Sequence, residues 1–181
     1  MSFGKLSNMF YRLPLELIAP TLLVSALCVV LIRRRWGSRR WFRPGCIGLL
    51  VLWLYTLLKL TVIGRSAGTE PEVLLIPFYY LWELHTTGNN ELIRSTFMNV
   101  ALFFPAGLLT ALLLPRTWPG QRKVGVILGV FLGLSCTVEL IQLVWVLGRV
   151  EMDDLIHNTL GALLGALPVL LEERLFAPPQ Q

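Results

Sequence analysis

The sequence predicts an all-α integral membrane protein in which five transmembrane helices form a bundle. Hydrophobic residues make up 55% of the chain and charged residues 15%, whereas soluble proteins average about 45–50% and about 25%. The apolar residues also lie in runs that approach the roughly 20 residues needed to cross a bilayer as a helix. These runs do not alternate in polarity, as membrane strands do. We therefore expect residues 1–181 to form a single helical membrane domain.

The expected spans follow from the positions of the apolar runs. Their approximate bounds are 14–32, 46–63, 97–114, 124–147 and 155–171. The first run ends in arginines, which is typical of a stop-transfer segment and not of a cleaved signal peptide. A further piece near 73–82, VLLIPFYYLW, has a central proline and is too short to span. We predict an interfacial or re-entrant segment there, with an ordinary loop that contacts the core as the alternative.

The distribution of basic residues predicts the orientation, because cytoplasmic loops of membrane proteins are enriched in lysine and arginine. Alternate loops and the tail place ten basic residues on one side: Arg33, Arg34, Arg35, Arg39, Arg40, Arg43, Arg116, Arg122, Lys123 and Arg174. The other side has five: Lys5, Arg12, Arg65, Arg94 and Arg149. We therefore expect the N-terminus outside and the C-terminus in the cytoplasm.

The net charge of +5 does not indicate nucleic-acid binding. Six arginines lie in RRRWGSRRWFR, directly after the first apolar run. Beside a membrane, such a cluster is a topology signal and an anchor for anionic lipid. The cysteines Cys28, Cys46 and Cys136 lie in or next to apolar runs without a CxxC motif. They are interpreted as small buried hydrophobic residues.

Two polar side chains lie inside the fourth span. Glu139 and Gln142 are three positions apart, so they share one helix face. At 1.5 Å per residue they lie roughly 12 Å and roughly 7 Å below the outer surface. A carboxylate inside the hydrocarbon costs a few kcal/mol, so Glu139 is expected to face a cavity or a polar partner.

The acidic stretch LGRVEMDDLIHNTLG, residues 147–161, is predicted to lie above these side chains. Asn99 and Asn158 fall in the first turns of the third and fifth spans, which both begin outside. The short loop before the fifth span then holds Asp153 and Asp154 over the same leaflet. The sequence therefore predicts an extracytoplasmic polar pocket between three spans.

One face of the fifth span carries polar residues near its start and small residues further along the helix. Asp154, Asn158, Gly161 and Gly165 occur at i, i+4, i+7 and i+11. The segment GALLG is a GxxxG motif, which allows another helix to approach closely. In the third span, Pro105 and Gly107 are expected to kink the helix.

Several of these side chains also have simpler interpretations. Asp153 or Asp154 fits a cap of the fifth helix, since carboxylates suit a helix N-terminus. His157 follows Asp153 by four positions and fits a local partner of it. Arg149 is either a loop charge or a group that holds a phosphate.

Four segments in sequence resemble the signature segments of VanZ-like membrane proteins. They are LLIPFYYL, NVALFFPAGLL, ELIQL and DDLIHNTLGALLG, within residues 73–171. The residues that match the family pattern are Asn99, Phe103, Pro105, Gly107, Glu139, Gln142, Asp153, Asp154, Asn158, Gly161 and Gly165. Glu151 departs from it. The resemblance implies a multi-pass protein of the bacterial cytoplasmic membrane, in a family named for low-level resistance to teicoplanin, a lipid-bearing glycopeptide. It implies no particular biochemical activity.

Three functions fit the pattern. The first is an envelope protein that engages a lipid or lipid-linked headgroup through Asn99, Glu139, Gln142, Arg149, Asp153, Asp154 and Asn158. The second is an intramembrane hydrolase or transferase on such a lipid, with Glu139, Asp153, Asp154 and His157 as catalytic candidates. The third is a small transporter or flippase, which is favoured only if the protein forms a homo-oligomer.

The sequence identifies no cofactor. A divalent cation held by Asp153 and Asp154 is the one metal that the pattern suggests. HExxH and GxSxG motifs are absent from the sequence. The expected partners are membrane lipids or a lipid-linked envelope precursor.

Overall fold

The computed structural model describes residues 15–87 and 90–176. This part of the chain contains six α-helices and two short strands. In chain order they are α1 Leu15–Trp36, α2 Phe42–Leu58 continued by a π-helical turn Lys59–Ile63, β1 Glu72–Leu74, α3 Tyr79–Thr87, α4 Asn90–Leu113, α5 Gly120–Val144, β2 Arg149–Glu151 and α6 Met152–Leu175.

Four helices are long and apolar enough to cross a bilayer, which confirms a multi-pass membrane protein. They cover Phe42–Ile63, Arg94–Leu113, Gly120–Val144 and Met152–Leu175, at the positions of the second to fifth predicted spans. The first predicted span, 14–32, falls on the 22-residue helix α1, and the count of five spans stays a prediction. Position 14, the basic residues Lys5 and Arg12, and positions 177–181 lie outside the described residues.

The helices extend beyond the apolar runs, and this corrects several predicted positions. Helix α6 begins at Met152, so Asp153 and Asp154 lie in its first turn and not in a loop. Arg33 to Arg35 form the last turn of α1, and Lys123 lies in the first turn of α5. A helix that continues past the hydrocarbon satisfies its backbone hydrogen bonds internally, so an apolar run marks the membrane core and not the helix ends.

A two-stranded sheet is an unpredicted exception in the otherwise helical fold. Strands β1 and β2 are parallel, with Val73 opposite Val150. Each strand has three residues, too few for a sequence pattern. The segment near 73–82 therefore forms β1, a turn and the start of α3, and its expected interfacial position stays a prediction.

Side-chain contacts define two ends of the bundle. At one end, Arg33 of α1 forms salt bridges with Glu172 and Glu173 of α6, at 3.1 and 2.5 Å. Lys123 of α5 also pairs with Glu173, at 2.5 Å. We call these four residues the buried ion cluster, because Arg33 is 2% exposed and Lys123 1%.

The opposite end, here called the polar end, joins α2 to α5 and α4 to α6. Gln142 Nε2 donates to the carbonyl of Thr61 at 2.9 Å, and Asn99 contacts Asp154. Alternate loops thus lie at opposite ends, as a chain that crosses a membrane repeatedly requires. Which end faces the cytoplasm stays a prediction from the arginines.

Helix α4 is the centre of the bundle. Of its apolar segment, 61% is buried inside the protein, whereas the value for α2 is 17%. It runs parallel to α6 at backbone contact distance. A Cβ atom on Gly161 or Gly165 would collide with the carbonyl of Val100 or Phe104, and one on Gly107 with that of Ala162. The absence of these side chains lets the two helices touch, which is how membrane helices gain van der Waals packing energy.

Helix α4 continues through Pro105 from Asn90 to Leu113. Proline lacks the N–H that would bond the carbonyl one turn earlier. Trp53 of α2 donates its indole N–H to the neighbouring carbonyl of Leu102, at 2.8 Å. This contact attaches α2 to α4 beside the proline, and the predicted kink stays a prediction.

Candidate functional site

The site begins with a hydrogen bond between Asn99 of α4 and Asp154 in the first turn of α6. Asn99 Nδ2 donates to Asp154 Oδ1 at 2.6 Å. The close approach of Gly161 to Val100 holds the two helices side by side next to this pair. Because α4 begins at Asn90, Asn99 lies in its third turn and not in the first turn that the sequence predicted. Asn99 and Asp154 are each only partly buried, so both are accessible from the polar end.

Glu139 connects α5 to this pair and is 4% exposed. Its Oε2 accepts a hydrogen bond of 3.2 Å from the backbone N–H of Glu151, the N-cap residue of α6. It also lies close enough to Asp154 for the two carboxylates to interact electrostatically. Glu139, which the sequence singled out, thus supports the start of α6 and brings a second carboxyl group close to Asp154.

Asp153 has a structural role that differs from the predicted one. Its Oδ1 accepts from the backbone N–H of Phe78 at 2.5 Å and its Oδ2 from that of Tyr80 at 3.2 Å. It therefore caps the first turn of α3, and the interpretation as a cap of its own helix is wrong. Phe78 has φ 58°, an unfavourable conformation for a bulky residue, which these hydrogen bonds hold in place.

Gln142 and Asn158 are packed between helices. Gln142 is 1% exposed, and Asn158, at 4%, donates from Nδ2 to Ser135 Oγ at 2.9 Å. The acceptor that Gln142 uses is available because Thr61 lies in the π-helical turn that ends α2. Within the described residues, Gln142 Oε1 and Asn158 Oδ1 have no hydrogen-bond partner. The expected pocket floor is thus a tightly packed polar layer, and an open pocket over it stays a proposal.

Arg149 is paired inside its own strand. Its Nε donates to Glu151 Oε1 at 2.7 Å. Burial lowers the pKa of Arg149, while the hydrogen bond and the charge of Glu151 raise it, and the net shift is upward. Arg149 therefore keeps its positive charge and has one of its nitrogens already engaged.

Arg65 is the cation of the site that sequence analysis missed. It attracts both Glu139 and Asp154 electrostatically. Its Nη1 lies 2.8 Å from where a Cβ of Gly148 would be, so the glycine leaves room for the guanidinium. The sequence contains an indication of this role. Two carboxyl groups near hydrocarbon are stabilised by a nearby cation, and Arg65 follows the second span after one glycine. In the sequence, Arg65 contributes only to the count of basic residues in loops that predicts the orientation.

A cavity of about 360 Å³ lies between the start of α3 and the outer turns of α4 and α6. Tyr80 and His157 line it, with their rings edge to face and centroids 5.1 Å apart. His157 thus contacts Tyr80 on the cavity wall. The other lining residues are Phe78, Thr96, Phe97, Val100, Ile156 and Leu160.

The structure does not favour the cation site suggested for Asp153 and Asp154. Both oxygens of Asp153 accept backbone N–H groups of residues 78 and 80, whereas Asp154 turns toward Asn99. Over residues 15–87 and 90–176, no group of three or more His, Cys, Asp or Glu side chains has a geometry suited to a metal ion.

Comparison with known proteins places these elements in one family. The VanZ/LLP1 family model matches residues 46–172. The chain is 30% identical over 125 residues to Protein VanZ of Enterococcus faecium, a match that covers 65% of this chain and 69% of that protein. No solved structure matches the chain. The family match includes every side chain of the polar end described above and leaves out α1.

Proposed function

Since the chain belongs to the VanZ/LLP1 family, as its sequence motifs indicated, we propose that it binds the headgroup of a lipid or lipid-linked envelope molecule. The site is the polar end of the bundle, around Asn99 and Asp154, on the extracytoplasmic side of the bacterial cytoplasmic membrane.

The observation that carries the proposal is the Asn99–Asp154 pair with Glu139 and Arg65 beside it. Glu139 lies within a spanning helix, where an ionisable group is costly, and groups that persist there usually serve binding or transport. Helix packing at Gly161 already holds α4 and α6 together, so that packing does not require the polar pair. A ligand is the simplest reason for a partly exposed carboxylate at this place.

The adjoining cavity supports a ligand with both polar and apolar parts. The carboxylate of Asp154 suits a hydroxyl, amide or ammonium donor, and the guanidinium of Arg65 suits a phosphate. The cavity of about 360 Å³ has mainly apolar walls, including Phe97 and Leu160, and it is also lined by Val100, the residue after Asn99. A lipid with its headgroup at Asp154 and the start of its chain in this cavity would contact both the polar groups and the apolar walls.

Binding of a lipid-linked envelope molecule would explain in physical terms the low-level teicoplanin resistance associated with the protein after which the family is named. A lipid-bearing glycopeptide acts at the cell surface, where its chain and its target share the outer leaflet. A protein that binds a lipid-linked envelope molecule there changes how much of that molecule is accessible to the antibiotic. The effect is expected to be weaker for a glycopeptide without a lipid chain.

The test compares variants in a teicoplanin-sensitive bacterial host that lacks its own copy of the protein. Wild type is expected to raise the inhibitory concentration of teicoplanin, and Asp154→Asn and Glu139→Gln to return it to that of the empty vector. The matched control is Glu70→Gln, which removes a carboxylate from an exposed loop position. Membrane levels of all variants are compared by immunoblot.

The orientation needs its own experiment. Reporter fusions that are active only in the cytoplasm are expected to be active after Arg40 and at Gln181, and inactive near Met152. Activity near Met152 would place the polar end in the cytoplasm and contradict the proposal. Full resistance in Asp154→Asn at wild-type membrane levels would contradict the role of the site.

A catalytic or transport role is not proposed. Both oxygens of Asp153 accept hydrogen bonds from backbone N–H groups at the start of α3, so one of the three carboxylates of the hydrolase hypothesis is already engaged, and Glu139, Asp154 and His157 are left. No contact of the described residues favours a transporter. Release of a product from a lipid-linked substrate by purified protein, lost in Asp154→Asn, would restore the enzymatic alternative.

A further inference from the structure

A second cavity, of about 680 Å³, lies between α1 and the α4–α6 pair. Binding sites for small ligands commonly measure roughly 300–1,000 Å³. On α1, the lining residues recur along one helix face, and on α6 they include Leu167 and Leu171. We call it the α1 crevice. It extends alongside the membrane-spanning parts of α4 and α6, and Phe97 and Val100 line both it and the cavity of about 360 Å³ at the polar end.

The crevice exists because α1 does not pack closely against its neighbours. Leu23, Leu27 and Leu31 line it and are 57%, 52% and 63% exposed, although they face α4 and α6. Helix α1 is held to α6 instead by the salt bridges of Arg33 in the buried ion cluster. An apolar crevice open to a bilayer is filled by hydrocarbon, since lipid tails are as apolar as leucine and an empty space loses dispersion contacts.

One cation lies where the crevice meets the membrane surface. Arg34 lines the crevice, and its guanidinium carbon lies 4.0 Å from the centroid of the Phe176 ring. Glu172 also lines it, but its Oε2 is engaged by Arg33. In the part of the chain that the structure describes, Arg34 takes part in no salt bridge, so its charge is available to a ligand.

The end of the bundle at which the crevice opens has an excess of positive charge, because Glu172 and Glu173 are already paired with Arg33 and Lys123. The loop after α1 contributes Arg39 and Arg40, which line a polar cavity of about 510 Å³ together with Trp36 and Trp41. Tryptophans are enriched at the level of lipid headgroups, which places Arg34 at the same level. Basic pockets between membrane helices on the cytoplasmic side bind anionic lipid headgroups.

We propose that the α1 crevice is a binding site for one anionic phospholipid, with an acyl chain between α1 and α6 and its phosphate at Arg34. The occupant is a lipid because the crevice lies alongside spanning helices, and it is anionic because the mouth is cationic. The phosphate position at Arg34 lies at the opposite end of the bundle from the proposed headgroup site, and binding there does not depend on that site.

The experiment is native mass spectrometry of the purified full chain in detergent, with added phosphatidylglycerol or with phosphatidylcholine of the same acyl chains. Wild type is expected to retain one phosphatidylglycerol in preference to phosphatidylcholine. Arg34→Ala is expected to weaken phosphatidylglycerol binding about fivefold. Arg35→Ala removes the same charge from a neighbouring position that does not line the crevice, and it is expected to bind as wild type.

A second pair of variants tests the chain-binding part. Leu27→Trp fills the crevice and is expected to abolish retention of the lipid, with Leu31→Trp as the substitute if that protein does not fold. Leu52→Trp, on the exposed face of α2, is the matched control and is expected to bind as wild type.

Each of the following results would overturn the proposal. Three of them concern comparisons between lipids or variants. They are equal retention of the two lipids, equal losses in Arg34→Ala and Arg35→Ala, and wild-type binding by folded Leu27→Trp and Leu31→Trp. If folded wild type retains neither lipid, the crevice is filled by another part of the chain or by a second copy, and the proposal is wrong.

Discussion

Asn99 and Asp154 are joined by a hydrogen bond of 2.6 Å at the level where α4 and α6 come into contact. Immediately below them, Gly161 packs against the backbone of Val100, and Gly165 packs one turn further along. The polar pair and the small residues thus belong to one helix pair. The position of the carboxylate therefore depends on how closely the two backbones approach.

Gly165→Ala is expected to separate α4 from α6. The added Cβ would meet the carbonyl of Phe104, which is backbone and cannot rotate away. Overpacking of this kind costs about 1–3 kcal/mol. The measurement is the free energy of unfolding in mixed micelles. Gly129→Ala is the control, since a Cβ there meets nothing within 4 Å. If Gly129→Ala lowered the free energy of unfolding as much as Gly165→Ala does, the account would be contradicted.

The Asn99–Asp154 contact is expected to give a measurable coupling energy. A double-mutant cycle with Asn99→Ala and Asp154→Ala isolates it from the effects of each single change. Hydrogen bonds between membrane helices contribute about 0.6 kcal/mol on average and about 1.7 at most. We expect a value within that range from unfolding free energies. Additive effects of the two changes would mean that the pair is not formed in the folded protein.

Asp153→Ala is expected to release the first turn of α3 without unfolding the bundle. The two backbone N–H groups at Phe78 and Tyr80 lose an ionised acceptor, and a hydrogen bond to a charged group contributes about 1.5–3 kcal/mol. Hydrogen–deuterium exchange at both amides should accelerate about tenfold or more. Glu72→Ala, at an exposed position of β1, serves as the control. Unchanged exchange in Asp153→Ala would refute the capping role.

Glu173→Gln is expected to destabilise the end of the bundle opposite the site. It removes the shared partner of Arg33 and Lys123, both almost fully buried. Removing one partner from a buried ion pair costs about 3–5 kcal/mol. Thermal unfolding is the measurement, with Arg174→Gln at the exposed neighbouring position as control. A loss no larger than that of Arg174→Gln would contradict the account.

The membrane class and the helix positions follow from the apolar runs, because hydrocarbon thickness sets their length. The glycine stripe of α6 could be identified for a similar reason, since GxxxG marks close helix contact. The helix that packs against this stripe could not be identified from the sequence, because periodicity identifies a helix face and not the element opposite it. The structure identifies that partner as α4, through Val100 and Phe104.

The polar residues were located by sequence more reliably than their contacts. Loop alternation placed Asn99, Glu139 and Asp154 at one end. Asp153 was predicted as a binding or catalytic residue, with a cap of its own helix as the alternative, because the sequence gives no sign that the segment at 78–80 folds back onto it. Arg65 was overlooked because basic residues in loops were counted only for topology. Both misses concern contacts across long sequence separations, which no local pattern encodes.

The central claim, that the polar end binds an envelope lipid, is tested most directly by photocrosslinking in living cells. A photoreactive amino acid at Ile156, which lines the cavity beside Asp154, is compared with one at Leu140, which is 60% exposed on α5. We expect Ile156 to capture a lipid class enriched over its share of the membrane, and Asp154→Asn to abolish the enrichment. Capture of bulk lipid in the same proportions at both positions would contradict the claim.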